Sequence, residues 1–175
     1  EGGFLPGQPL VLDQLLMAPG ERVDVIVDFS QFQPGDDVTL LNLGPDSPFG
    51  TLPVDPADQA NPETTGQVMQ FRVVELTDRG NPGEIPAELP AVDPLTTTLP
   101  PRDLTLNEEM NMEADVPVEA LLGTGAQGAL EWSAEITETP TVGDTEIWRI
   151  INLTADAHPI HLHLVHFQVL DRTPF

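Results

Sequence analysis

An all-β fold, an antiparallel sandwich in type, is what this sequence predicts. Three observations lead there: short runs rich in β-branched residues, turn signals between them, and no stretch with a convincing helical period. The punctuation is dense, with 19 prolines and 14 glycines in 175 residues. Apolar residues make up 39%, enough to build a core.

The elements follow in order. Val23-Asp24-Val25-Ile26-Val27-Asp28-Phe29 is a β-branched run, ended by the turn-prone stretch Gln33-Pro34-Gly35-Asp36-Asp37. Residues 38–43 form the next predicted strand. Residues 44–66 are rich in Pro, Gly and Asp and lack an apolar period, which predicts a long solvated loop. A strand is predicted over 67–76, with Met69, Phe71 and Val73 on one face. Residues 77–102 hold six prolines, at 82, 86, 90, 94, 100 and 101. No useful strand fits among them, so they read as an extended interdomain linker. Further strands are predicted over 103–107, 145–152 and 160–170, and residues 110–129 read as ambiguous loop. Each half supplies about three strands, against the roughly seven of a closed sandwich. We therefore expect parts of two consecutive β-domains.

Charge excludes several roles. Six cations, all arginine, stand against 29 carboxylates, for a net charge of −23. Such a surface repels nucleic acid and anionic membrane, and neither is an expected partner. An acidic, lysine-free surface also suits a protein kept soluble in high salt, where self-repulsion is screened. No run reaches the apolar length of a membrane span, and Glu1-Gly2-Gly3-Phe4 has neither a basic nor an apolar leader region. The expectation is a targeting segment already removed, or a start partway along a longer protein. There is no cysteine, hence no disulfide and no thiolate ligand or nucleophile in these residues.

All four histidines fall within nine residues, as His158, His161, His163 and His166. Neutral imidazole is the commonest protein ligand for metals such as zinc and copper. In a strand, His161 and His163 would share a face with Cα atoms about 6.6 Å apart. Two imidazoles so placed converge on two adjacent metals, or on one after rotamer adjustment. His158 has the opposite parity and stands before Pro159, so it points elsewhere. His166 shares the parity of His158 but would lie about 26 Å further along an extended chain, too far to join it. The plainer reading is a histidine-rich strand without metal, and for His166 it is the better one. A zinc hydrolase would need a third protein ligand and a general base, and no other histidine or cysteine exists here to complete one.

The segment His158-Pro159-Ile160-His161-Leu162-His163 resembles the His-Pro-x-His-x-His strand of the multicopper oxidases. Within that family it looks most like the branch of bacterial spore-coat laccase, phenoxazinone synthase and bilirubin oxidase. The likeness extends through residues 137–152, 18–29 and 67–71. The resemblance implies cupredoxin-like Greek-key β-sandwich domains, three in the complete enzyme. Residues 1–76 would be the C-terminal part of the second domain, 77–102 the linker, and 103–175 the N-terminal part of the third. It implies four coppers in the whole enzyme, with His158 a ligand of type 1 copper, His161 of type 2 and His163 of type 3. It also implies one-electron oxidation of phenolic or similar small aromatic substrates, coupled to four-electron reduction of O2 to water.

The partners so implied are O2, the substrate, and the remaining segments of the same enzyme: domain one and a His-Cys-His segment. A type 1 centre needs a cysteine thiolate and a second histidine that these residues lack. The chain is therefore expected to act only with those segments, outside the cell or in its envelope. Two rivals from other classes stand beside this reading. One is a copper-free cupredoxin-like structural or assembly protein, against which the intact histidines weigh. The other is a cupin-type single-metal enzyme, which would not explain the linker.

Overall fold

The computed structural model describes residues 7–50, 52–77, 83–114 and 116–175. Residues 1–6 and 78–82, the start of the first predicted domain and part of the predicted linker, lie outside the described residues, as do 51 and 115. The described residues are all-β, with six strands in two sheets and no helix. The chain divides into two compact units, one of Glu1–Val92 with Pro159–Phe175 and the other of Asp93–His158.

In the first unit, β1 (Asp37–Leu41) pairs antiparallel with β2 (Gln67–Arg72), in a register that sets Val38 opposite Phe71. The exposed pair Arg72–Asp37, at 3.1 Å, closes one end of the ladder. The loop between them folds on itself: Gly44 accepts from the Ala60 N–H at 2.7 Å, and Ala60 is buried. The predicted strand over 23–29 is not one in the structure. A strand is held by a neighbour's backbone groups, and no ladder reaches these residues, which leaves Val25 and Ile26 exposed. Their end is anchored by Phe29 against Phe71, with ring centroids 5.1 Å apart.

The predicted strand over 160–170 is likewise absent. Leu164 has φ 68°, a left-handed conformation that disfavours side chains with a Cβ and breaks an extended chain. The alternation of faces therefore does not carry past Leu164, and the parity reasoning for His166 fails with it.

The second unit holds a four-stranded sheet in the order β5-β4-β3-β6, built from β3 (Arg102–Asn111), β4 (Val116–Thr124), β5 (Gly128–Ala129) and β6 (Trp148–Asn152). Strand β4 lies where the sequence reads as ambiguous loop. Pro117 and the weak β-formers Glu119, Ala120 and Gly123 hide it, yet Pro117 pairs with Met110 at a register shift, a position where a missing N–H is tolerated. Before it, the Asn111 side-chain oxygen accepts the N–H groups of Glu113 and Ala114 and turns the chain.

Strand β3 is flanked on both sides, and it buries Thr105 and Leu106. Its pairing with β6 is parallel, Arg102 opposite Trp148 through Leu106 opposite Asn152, which departs from the wholly antiparallel expectation. A parallel pair needs a long crossover rather than a hairpin, and β4, β5 and residues 130–147 supply it. Two charged contacts fasten the pair: Arg102 to Glu146 at 2.9 Å and Arg149 to Asp103 at 2.6 Å.

Candidate metal centre

The end of β6 feeds directly into the histidine segment. Leu153 donates its N–H to Leu106 O at 3.0 Å, so the chain leaves the sheet still tied to β3. Asn152 then organises the turn that follows. Its Oδ1 accepts the Thr154 N–H at 3.1 Å and the Thr154 hydroxyl at 2.8 Å, while its Nδ2 donates to Asp156 O at 2.6 Å. This is the local hydrogen bonding that Asn favours outside regular structure.

His158 closes the turn. Its Nε2 lies 2.7 Å from Thr154 Oγ1 and 3.6 Å from Glu108 Oε1. The second distance is too long for a direct hydrogen bond but keeps a carboxylate beside the ring. Both groups are largely covered, with 29% of the His158 and 13% of the Glu108 side chain exposed. Glu108 comes from β3, and it is the β3–β6 pairing that brings it beside a turn far away in sequence.

Strand β6 is itself held in place by Glu146. Its Oε2 accepts from Arg102 Nε at 3.1 Å and from Trp148 Nε1 at 2.6 Å, and its Oε1 accepts from Arg102 Nη2 at 2.9 Å. Hydrogen bonds from Arg102, then from Trp148, hold the Glu146 carboxyl below its ordinary range. The same pairing raises Arg102. A hydrogen bond from Arg149 lowers Asp103 in the same way.

In the other unit, His161 and His163 stand together, with ring centroids 4.6 Å apart and planes nearly perpendicular. Both are exposed, as is His166. Two imidazoles at that separation are a donor set suited to copper or zinc. Among the described residues no group of three or more His, Cys, Asp or Glu side chains is placed to hold a metal ion. The sequence-predicted residues thus form one adjacent pair and one separately braced histidine.

Thr154, Asn152 and Glu108 were not singled out from the sequence. Thr154 and Asn152 carry no periodic signal, and Glu108 is one of many carboxylates until the sheet selects it.

Residues 100–175 match the family model described as multicopper oxidase, a span that contains β3 to β6 and all four histidines. The whole chain is 35% identical, over 175 residues, to a laccase of Bacillus subtilis and covers 31% of that protein. The chain belongs to the multicopper oxidases. This multicopper oxidase chain is also 34% identical to the multicopper oxidase LPR1 of Arabidopsis thaliana, with 95% of the chain and 26% of that protein aligned. A laccase of Haloferax volcanii is 32% identical, with 93% of the chain and 25% of that protein aligned.

The multicopper oxidase chain thus spans about a third or less of the length of these relatives. No solved structure matches it significantly. Membership makes copper the cofactor and oxidation–reduction the class of chemistry, and the all-β architecture agrees with a cupredoxin-like fold. The donors present fit that metal: imidazole nitrogens, two of them side by side.

Proposed function

We propose that this chain is the part of a laccase-like oxidase that supplies one ligand to its mononuclear copper and two to its copper cluster. The observation that carries the proposal is the His161–His163 pair, rings 4.6 Å apart, inside a His-Pro-x-His-x-His segment covered by the family match. His158 would hold type 1 copper, His161 type 2 and His163 type 3. Residues 1–76 and 103–175 would belong to the second and third cupredoxin-like domains, joined by 77–102.

Copper, when bound, supplies a one-electron redox couple that zinc lacks. The chain's own residues do the rest of the work assigned here. His161 and His163 present two nitrogens at one place. The turn over 152–158 holds His158 against Thr154 and beside Glu108, partly shielded from water. The cysteine and further histidines of a complete site would come from other segments of the same enzyme. A phenolic or similar aromatic reductant and O2 are the proposed substrates, and the cell exterior or envelope the proposed location.

The test is metal analysis and optical spectroscopy of the full-length protein, followed by oxygen uptake with a simple phenol. Four coppers, an intense blue band and phenol-dependent oxygen uptake are the expected results. A metal-free protein without oxygen uptake would establish the copper-free structural alternative, and a single bound metal would point to the cupin-type one.

A further inference from the structure

We propose that Asn152-Leu153-Thr154 is an acceptor site for N-linked sugar that folding closes, so that Asn152 is modified before its strand pairs or not at all. The inference concerns the fold of the chain and stands apart from the copper role given above to His158.

The tripeptide has the Asn-x-Thr form, with x not proline, that N-glycosylating enzymes accept. Of the six asparagines in the chain, it is the one with Ser or Thr two residues on. Such sites ordinarily lie in surface loops, where side-chain amide and hydroxyl are presented together. Here the fold ties down all three residues. Asn152 ends β6, paired with Leu106 of β3, and Leu153 donates its N–H to Leu106 O at 3.0 Å. The Thr154 N–H donates to Asn152 Oδ1 at 3.1 Å. Thr154 Oγ1 lies 2.8 Å from that same oxygen and 2.7 Å from His158 Nε2.

The reacting atom is itself engaged. Asn152 Nδ2 donates to Asp156 O at 2.6 Å, and Asn152 and Thr154 are both half-buried. Transfer forms a bond from Nδ2 to the first sugar carbon of a lipid-linked oligosaccharide diphosphate. The bond from that carbon to the diphosphate breaks, the lipid diphosphate leaves, and Nδ2 gives up one proton. The product is a secondary amide, which like a peptide is trans and holds its substituent on the side of the oxygen. That sets the sugar next to Oδ1, the atom on which the Thr154 N–H and hydroxyl converge. A turn closed by those contacts leaves no place for it. Reaching Nδ2 in the folded chain requires freeing the end of β6 from β3, which is a local opening of the sheet. A chain not yet folded presents the tripeptide without that cost.

The test is secretion of the full-length protein from a host that N-glycosylates. Trypsin cuts after Arg149 and Arg172, so Asn152 is read on the peptide of residues 150–172. Enzymatic removal of sugar in heavy-oxygen water marks each formerly modified asparagine as labelled aspartate. In the soluble fraction that melts cooperatively, Asn152 is expected to be unmodified. In the misfolded fraction retained by the host, it is expected to carry sugar. Gly123→Ala, which disturbs the same sheet through the close approach of Gly128 O, should raise the modified share. That share is readable even if the variant never reaches the soluble fraction. Sugar on Asn152 in protein that melts with the unmodified form overturns the closure. Absence of sugar from every fraction of both proteins overturns the acceptor assignment, and an unchanged share in Gly123→Ala overturns the link to folding. None of these readouts involves copper, so a failure of the copper role of His158 is seen separately, by metal analysis.

Discussion

Arg102 and Glu146 meet as a paired fork, guanidinium Nε and Nη2 on the two carboxylate oxygens at 3.1 and 2.9 Å, across the parallel pair that joins the first strand of the larger sheet to its last. The contact is mostly covered, with 15% of the Glu146 side chain exposed. Such a geometry restricts the strand leading to His158 more than a single-point ion pair would.

The pair gives stability a direction with pH. The Glu146 carboxyl is held below its ordinary value when folded, by Arg102 and then by Trp148. Its contribution is therefore complete above the unfolded carboxylate value, about pH 4.3, and is lost as pH falls through the lower folded value. Glu146→Gln is expected to melt below wild type near neutral pH, with the gap narrowing in acid below that range. Thermal denaturation of both proteins across the acid range checks this, and a gap that widens on acidification counts against it.

Close packing at Gly123 is a second point of vulnerability. A methyl group there would collide with the Gly128 carbonyl oxygen and stand 2.5 Å from Thr105 Oγ1. The obstacle is largely backbone, which cannot move aside cheaply, so Gly123→Ala should destabilise the sheet by about 1–3 kcal/mol. Gly7→Ala, where nothing lies within 4 Å, serves as the control. Chemical denaturation of the full-length variants measures both, and equal midpoints would rule the clash out.

The histidines should separate by spectroscopy. On the proposed assignment, His161→Ala or His163→Ala abolishes oxygen reduction while the blue band remains, and His158→Ala alters or removes that band. Full oxygen uptake in His163→Ala, with copper content unchanged, would refute its ligand role.

Removed from the rest of the enzyme, residues 1–175 should not fold cooperatively. Among the described residues the buried hydrophobic side chains are Ala60 and Leu106 alone, while Ile26, Leu122 and Leu170 are each about 70% exposed. Burial on that scale does not offset the entropy of ordering the chain. Calorimetry and amide NMR of the purified chain check the point; a sharp transition with a dispersed spectrum would contradict it.

Salt should stabilise the complete enzyme. A charge of −23 without lysine opposes compaction, and the Debye length falls from about 8 Å at physiological ionic strength to about 3 Å at 1 M. The melting temperature and copper retention are expected to rise as NaCl goes from dilute to molar. A flat or falling melting temperature would mean that other segments already compensate the charge.

What the sequence determined by itself was the all-β class and the histidine pattern that carries the family resemblance. The spacing of His158, His161 and His163 is a local pattern, and the all-β character follows from local residue preference and turn punctuation. Pairing is not local. Strand β4 was hidden because weak β-formers and a proline become a strand only against β3, and residues 23–29 stayed out of a sheet because a strong β-former still needs a partner. The tertiary structure alone decided that β3 and β6 run parallel, that Glu108 stands beside His158, and that Leu164 turns out of the extended conformation. Each depends on backbone and side-chain groups distant in sequence, or on a single backbone dihedral, and residue periodicity carries no record of either.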